Sequence, residues 1–483
     1  MSRQEDLFKV QPLLFDDSKE QFSTNSTASV IVPQDTHNSN NQTSTQNELI
    51  NLENKFIDQK RLWMLPFIST VLFGAFYNQA FQSGIKEQLV QSMGMSSFQY
   101  QMFVLIPTLP SIPLSLVIGP ALDTLGARNG LILFSCLLAI SMVLCTIADP
   151  LQSYGILMSG KILLAISSDS QTIAQGCILG KWYKSKGLAR TFTINSLFCK
   201  IAASTSGILY PMLYDKSNGL FLPFFIGLIT CLFSLVSSIF IFVLDKKADD
   251  YNQNLQCKNL VQKYKFKFSD FKKFYGVYWC FAILSPLTFG AFIAIQNYLQ
   301  SVLTHKFQIN QTLAGEMLSI PYYIAYSVPL FGIMADKFGQ RLIMMILTSS
   351  FGVLSFFLLF IAPQGSNSAY VWIALVLLGL FLSLVSAYLY PTLPFITQKN
   401  LLSTGFGIAF TTRGAFVSLF SYLGTFLMKE DNSGSNNYIL TYMIVFLTAL
   451  AVSIFTFYFD KKRGGLVNSK TPLKFLESEK ELE

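Results

Sequence analysis

GPALDTLGAR, residues 119–128, and GIMADKFGQR, residues 332–341, are one pattern written twice. Gly119, Asp123, Gly126 and Arg128 match Gly332, Asp336, Gly339 and Arg341 at a constant offset of 213 positions. Each copy is a short polar turn between two apolar runs. A second echo, FGAF, stands at 73–76 and again at 289–292. Matched motifs at matched places mark an internal repeat, so the chain reads as two copies of one helical unit. Glycine at 126 and 339 lets the backbone reverse within a few residues. An acid and a base on the same turn can pair, latching neighbouring helices in one state and releasing them in another.

Outward from these turns, apolar runs recur at about 62–85, 100–122, 130–147, 154–179, 191–213 and 220–244. They resume at about 274–303, 313–335, 342–362, 369–395, 404–428 and 436–459. Each is long enough to cross roughly 30 Å of hydrocarbon. The composition agrees: 51% of the 483 residues are hydrophobic and only 13% charged, with a mean hydropathy of +0.44. Soluble domains carry about a quarter charged residues. The expected fold is an all-α membrane protein, twelve transmembrane helices in two pseudo-symmetric six-helix bundles. These bundles are residues 56–244 and 274–460. A disordered polar tail, 1–55, precedes them, a basic linker, 245–273, joins them, and a second tail, 461–483, follows. No cleavable signal peptide opens the sequence.

Charge placement gives orientation. With the N-terminus inside, the short inner flanks hold fourteen Lys and Arg, against Lys86, Lys216, Lys306 and Lys429 outside. Both termini and the linker are then cytosolic. The net charge of +8 is thus a topology signal, not a nucleic-acid patch. His37 and His305 are the only histidines, and the seven cysteines show neither metal-ligand spacing nor an outward pair. Histidine catalysis, a metal centre and a disulfide framework are excluded, no cofactor is called for, and the chain does not read as an enzyme.

Gly-x-x-x-Asp-x-x-Gly-x-Arg between the second and third spans is the signature of the major facilitator superfamily, which the chain resembles over about 62–460. That resemblance implies two bundles around a central site open alternately to each side. Within the superfamily, GKILLAISSDSQTIAQ (160–175), KWYKSKG (181–187), LFCKIAAS (197–204) and SIPYYIAYSVPLFGIMADKFG (319–339) resemble the lysosomal dipeptide transporter group. That group has a fourth-helix Glu and a fifth-helix Arg 31 residues apart; Asp169 and Lys200 stand at the same separation. The resemblance implies a dipeptide or amino-acid substrate, a lysosome-like membrane and a glycosylated single-span accessory subunit. The chain departs from the group at NQAFQSG (78–84), at Arg413, and at Leu13-Leu14, where Lys9 replaces the acid of a dileucine signal. The plasma membrane therefore stays an alternative compartment.

Asp169 raises the sharpest question, because a carboxylate at membrane depth needs a partner or a task. Counted from the cytosolic ends of their spans, Asp169 and Lys200 both lie about 14–15 Å deep at ~1.5 Å per residue. Arg413 shares that level and is the repeat mate of Lys200 at the same offset of 213. One reading is a fixed Asp169–Lys200 pair stapling two helices. The other is a zwitterion site, with the ligand's ammonium on Asp169 and its carboxylate on Lys200 and Arg413, facing one another across the centre. Tyr77, Asn78, Gln79 and Gln82, and Gln296, Asn297 and Tyr298, are further candidates in equivalent spans; each also suits interhelical bonding. Trp182 reads as an interfacial anchor. Asn310-Gln-Thr312 is a glycosylation sequon close to the eighth span. No Glu-x-x-Glu-Arg motif marks proton coupling, so facilitated diffusion is favoured over symport. A nutrient sensor or scaffold on the same fold is the competing class.

Overall fold

A computed structural model of the whole chain describes residues 60–79, 81, 85–183, 187–255, 272, 274–296, 298–365, 369–398, 401–427, 431–465 and 467–468. These residues lie in one compact unit, 52–483. The expected tail at 1–55, Gln82, Asn297 and most of the linker fall outside them.

Twelve helical spans run through the described residues. In the first half these are α1 (Phe73–Gln79, preceded by helical residues 60–70), α2 (Thr108–Leu125), α3 (Ala127–Ala148), α4 (Tyr154–Tyr183), α5 (Leu188–Ser217) and α6 (Phe221–Leu255). In the second half they are α7 (Gly276–Gln296), α8 (Leu313–Phe338), α9 (Arg341–Ile361), α10 (Ala369–Ile396), α11 (Leu402–Leu427) and α12 (Asp431–Lys462). Eight of them (α2, α3, α6 to α10 and α12) contain a stretch long and apolar enough to cross a membrane. The 30-residue α4 and α5 and the 26-residue α11 are long enough but more polar. They carry Asp169, Lys200 and Arg413, and polar residues at this depth belong inside a bundle. Large apolar side chains such as Val117, Phe233, Phe240, Phe357, Ile373 and Phe455 are exposed. On a chain of this composition lipid covers them.

Proline sets the local departures from regular helix, because it lacks the N–H that would close a turn. Pro286 opens a π-helical turn, Pro286–Gly290, within α7. Pro391 sits in a 3-10 turn, Tyr390–Thr392, within α10. Both irregular turns lie beside the central charged residues. Gly126 and Gly339 have φ of 87° and 71°, a backbone that glycine adopts without strain, at the two expected motif turns.

Two boundaries differ from the sequence reading. α6 continues through Asp245 to Leu255, so the linker expected from 245 begins as helix. Asp245 and Asp249 lie one turn apart on it and meet cations there, which removes the penalty of carrying the helix past the apolar run. In the expected C-terminal tail, Val467 is buried. The Asn468 carbonyl accepts from the Gln340 N–H at 3.1 Å, tying the tail to the start of α9.

Candidate functional site

At the motif end the two bundles are joined by two acids. Asp123, near the end of α2, accepts from the N–H groups of Ser403 (2.9 Å) and Thr404 (2.8 Å) and from the Thr404 hydroxyl (2.6 Å). These residues open α11 in the other bundle. Asp336, near the end of α8, accepts from the N–H groups of Ala189 (3.1 Å) and Arg190 (2.8 Å), which open α5. Each acid thus satisfies unpaired N–H groups at the positive end of a helix dipole. The arrangement obeys the repeat.

The expected pairing of Asp123 with Arg128 does not form. Arg128 binds Asp249 and lies 3.6 Å from Asp245, both on α6. Lys181 joins the same acids at 2.9 and 2.8 Å. In the second copy Arg341 is buried and close enough to Asp336 to attract it. Its guanidinium also lies 4.6 Å from the Phe395 ring centre. Trp182 is not an interfacial anchor: it is fully buried and donates from Nε1 to Asp245 at 2.8 Å. Local spacing suggested bonds within a turn, but helix ends and neighbouring spans supplied better partners.

The first glycine of each motif copy, Gly119 and Gly332, sits where the two bundles come close. A Cβ at Gly119 would stand 2.8 Å from the Ser403 carbonyl oxygen, and one at Gly407 would stand 2.6 Å from that of Ser115. α2 and α11 are therefore in backbone contact. Gly332 on α8 likewise faces Thr193 on α5.

At mid-depth, Asp169 of α4 pairs with Arg413 of α11, Oδ1 to Nη2, at 3.5 Å. The two side chains remain 24% and 14% exposed, so the protein does not fully enclose the pair. Ser111 of α2 stands beside the carboxylate. The guanidinium also donates from Nη1 to the Tyr390 hydroxyl at 3.2 Å. It lies 4.1 Å from the Phe410 ring centre and 5.8 Å from that of Phe289. A Cβ added at Gly290, in the π-helical turn of α7, would stand 3.4 Å from the Arg413 Cγ.

Lys200 takes other partners. Its ammonium donates to Ser196 at 2.8 Å and to Ser386 of α10 at 3.3 Å. No carboxylate among the described residues lies within ion-pair distance of it. The Asp169–Lys200 staple is therefore absent, and Lys200 and Arg413 share no partner. Both cations reach across the bundle boundary instead, Lys200 from α5 to α10 and Arg413 from α11 to α4. Ser386, Tyr390 and Ser111 were not legible as site residues, since hydroxyls are common on apolar helices and no spacing singles them out.

The remaining candidates diverge. Tyr77 is buried against Tyr210, ring centres 5.3 Å apart, and its hydroxyl has no partner among the described residues. Gln296 Nε2 is also buried without a partner. Gln79 turns its side chain out and offers its carbonyl to Lys161 Nζ at 3.4 Å. Asn78 is structural glue: it donates to the Gly74 and Gly227 carbonyls and accepts from Tyr210 at 2.6 Å, tying α1, α5 and α6 together. Tyr298 packs edge-on against Tyr438.

Two pseudo-symmetric bundles, joined by capping acids at one end and by exchanged charged groups in the middle, define a membrane carrier and not an enzyme. The chain belongs to the Major Facilitator Superfamily, whose family model matches residues 68–421 and 278–478. It is similar to the human lysosomal dipeptide transporter MFSD1, 22% identical over 420 residues covering 84% of this chain and 88% of the relative. Among solved structures, the proton:xylose symporter XylE aligns with a TM-score of 0.63 at 14% identity, over 80% of this chain and 94% of that one. The human organic anion transporter MFSD10 aligns with a TM-score of 0.60 at 14% identity, over 83% and 99%.

Proposed function

We propose that this protein is a facilitative carrier of dipeptides, moving them from a lysosome-like lumen to the cytosol. One observation carries the reading: Lys200 lies at the bundle boundary, held by hydroxyls, while a partly exposed Asp169 holds a loose 3.5 Å ion pair across the same boundary. A ligand carboxylate on Lys200 and a ligand ammonium on Asp169 would exchange weak or loose contacts for charge-assisted ones. Two separated poles of opposite charge suit a zwitterion. The likeness to lysosomal dipeptide transporters supports peptide over sugar, and a free amino acid is the nearest competitor.

In this reading the motif end is cytosolic, as the basic flanks require. Asp123 and Asp336 form its gate, closed here by their caps on α11 and α5. Substrate enters from the other side, and transport proceeds when both caps release together. The same likeness suggests a glycosylated accessory subunit on the lumenal side. Thiol labelling of a cysteine placed at position 255, from the cytosolic side only, checks the orientation.

The test of function is counterflow in proteoliposomes. Vesicles loaded with unlabelled dipeptide should accumulate labelled dipeptide, with free amino acids competing poorly. A sensor or scaffold would bind dipeptide without accumulation, and preference for free amino acids would overturn the substrate assignment.

A further inference from the structure

The pair between Asp169 and Arg413 gives the unloaded carrier a property of its own. Asp169 sits in the first bundle and Arg413 in the second, so their contact bridges the two bodies that must move. Neither side chain is fully enclosed by protein, and the 3.5 Å separation is a loose ion pair that an incoming ammonium can displace. A place to hold the displaced guanidinium already exists. Tyr390 accepts from Nη1 at 3.2 Å, and the Phe410 and Phe289 rings offer aromatic faces at 4.1 and 5.8 Å. Lys200, by contrast, has no anion among the described residues to replace a ligand's carboxylate. Only the amine half of the site is filled from within.

We propose that Arg413 is a built-in stand-in for the substrate's amino group, which lets the empty carrier reorient and so makes net transport possible. A bare Asp169 would oppose the change of state, since an uncompensated carboxylate between closing bundles is strongly disfavoured. With Arg413 on Asp169 the empty carrier crosses; with substrate ammonium on Asp169 and Arg413 withdrawn to Tyr390, the loaded carrier crosses. A zwitterion adds no net charge, so both crossings move the same charge and the cycle is electroneutral. Remove the arginine and only the loaded form should cross, leaving an exchanger.

This inference rests on the dipeptide reading above, and one comparison separates the two. Wild-type protein and Arg413→Gln are reconstituted, and labelled dipeptide movement is followed into empty vesicles (net flux) and into vesicles preloaded with dipeptide (exchange). The ratio of net flux to exchange should fall at least about tenfold in Arg413→Gln, the scale of stranding a membrane-depth carboxylate. Arg413→Lys, which keeps a cation in reach, should recover much of the ratio. Proportional loss of net flux and exchange in Arg413→Gln would overturn the inference and make Arg413 an ordinary ligand-binding residue. An unchanged ratio would overturn it equally. A wild-type protein that moves dipeptide in neither mode would remove the dipeptide reading as well.

Discussion

Replacing Asp123 by Asn should open the motif end of the molecule. The carboxylate accepts three hydrogen bonds from the first residues of α11. Asparagine keeps one oxygen but turns an N–H₂ toward a donor, so at least one bond is lost together with the charge. A bond to a charged group contributes about 1.5–3 kcal/mol, and an anion at an exposed helix N-terminus about 0.3–1 kcal/mol. These overlap, so about 2 kcal/mol is a fair total, equivalent to roughly 30-fold in the closed-to-open ratio. The chain carries its own reporter. Cys177 of α4 is buried, and its Sγ lies 3.1 Å from the Ser403 hydroxyl, beside the Asp123 cap. With the other cysteines replaced, its reaction with a maleimide applied from the motif side should quicken by about 30-fold, as local opening predicts. Substrate turnover should slow while affinity changes little, because the gate and not the site is altered. Labelling at the wild-type rate would refute the claim that this cap holds the bundles together.

Other expectations follow from the same geometry. Gly407→Leu cannot keep the α2–α11 contact, since its Cβ alone would meet the Ser115 carbonyl oxygen at 2.6 Å; Cys177 labelling should rise and transport fall, and normal transport would contradict the contact. Asp336→Asn, losing at least one of two backbone caps on α5, should mimic Asp123→Asn; matched losses of affinity in both would show instead that they shape the binding site. Trp182→Phe leaves the buried Asp245 short of one bond and should lower the Tm by an amount equivalent to about 1–3 kcal/mol; an unchanged Tm would show that this bond adds nothing to stability. The double change Asp169→Asn with Lys200→Gln should fold and not transport; recovered dipeptide flux would sink the binding-site reading.

The fold was legible because it is repetitive. The offset of 213 set the two halves, apolar run lengths gave the spans, and Gly126 and Gly339 stand at the expected turns with positive φ. The partners of the charges were not legible. Arg128 is five residues from Asp123 and seemed its natural mate, yet the N–H groups Asp123 meets are 280 positions away. Nothing in a sequence advertises the orphan donors of a distant helix end. Span counting put Asp169 and Lys200 at one depth, but depth does not fix the rotation of a helix about its axis. Rotation sent Asp169 to Arg413 and Lys200 to Ser386. Asp245 and Asp249 looked like linker charges because the apolar run had ended, and only the facing Arg128 and Lys181 explain why α6 continues.

The central claim is that Asp169 reads the amino end of a dipeptide and Lys200 its carboxyl end. It is tested most directly by binding of one dipeptide in free, N-acetylated and C-amidated forms to wild-type protein, Asp169→Asn and Lys200→Gln. Acetylation should weaken binding to wild type and Lys200→Gln but add nothing once Asp169 is changed. Amidation should weaken binding to wild type and Asp169→Asn but add nothing once Lys200 is changed. Equal, additive losses from both ligand changes in all three proteins would contradict the account.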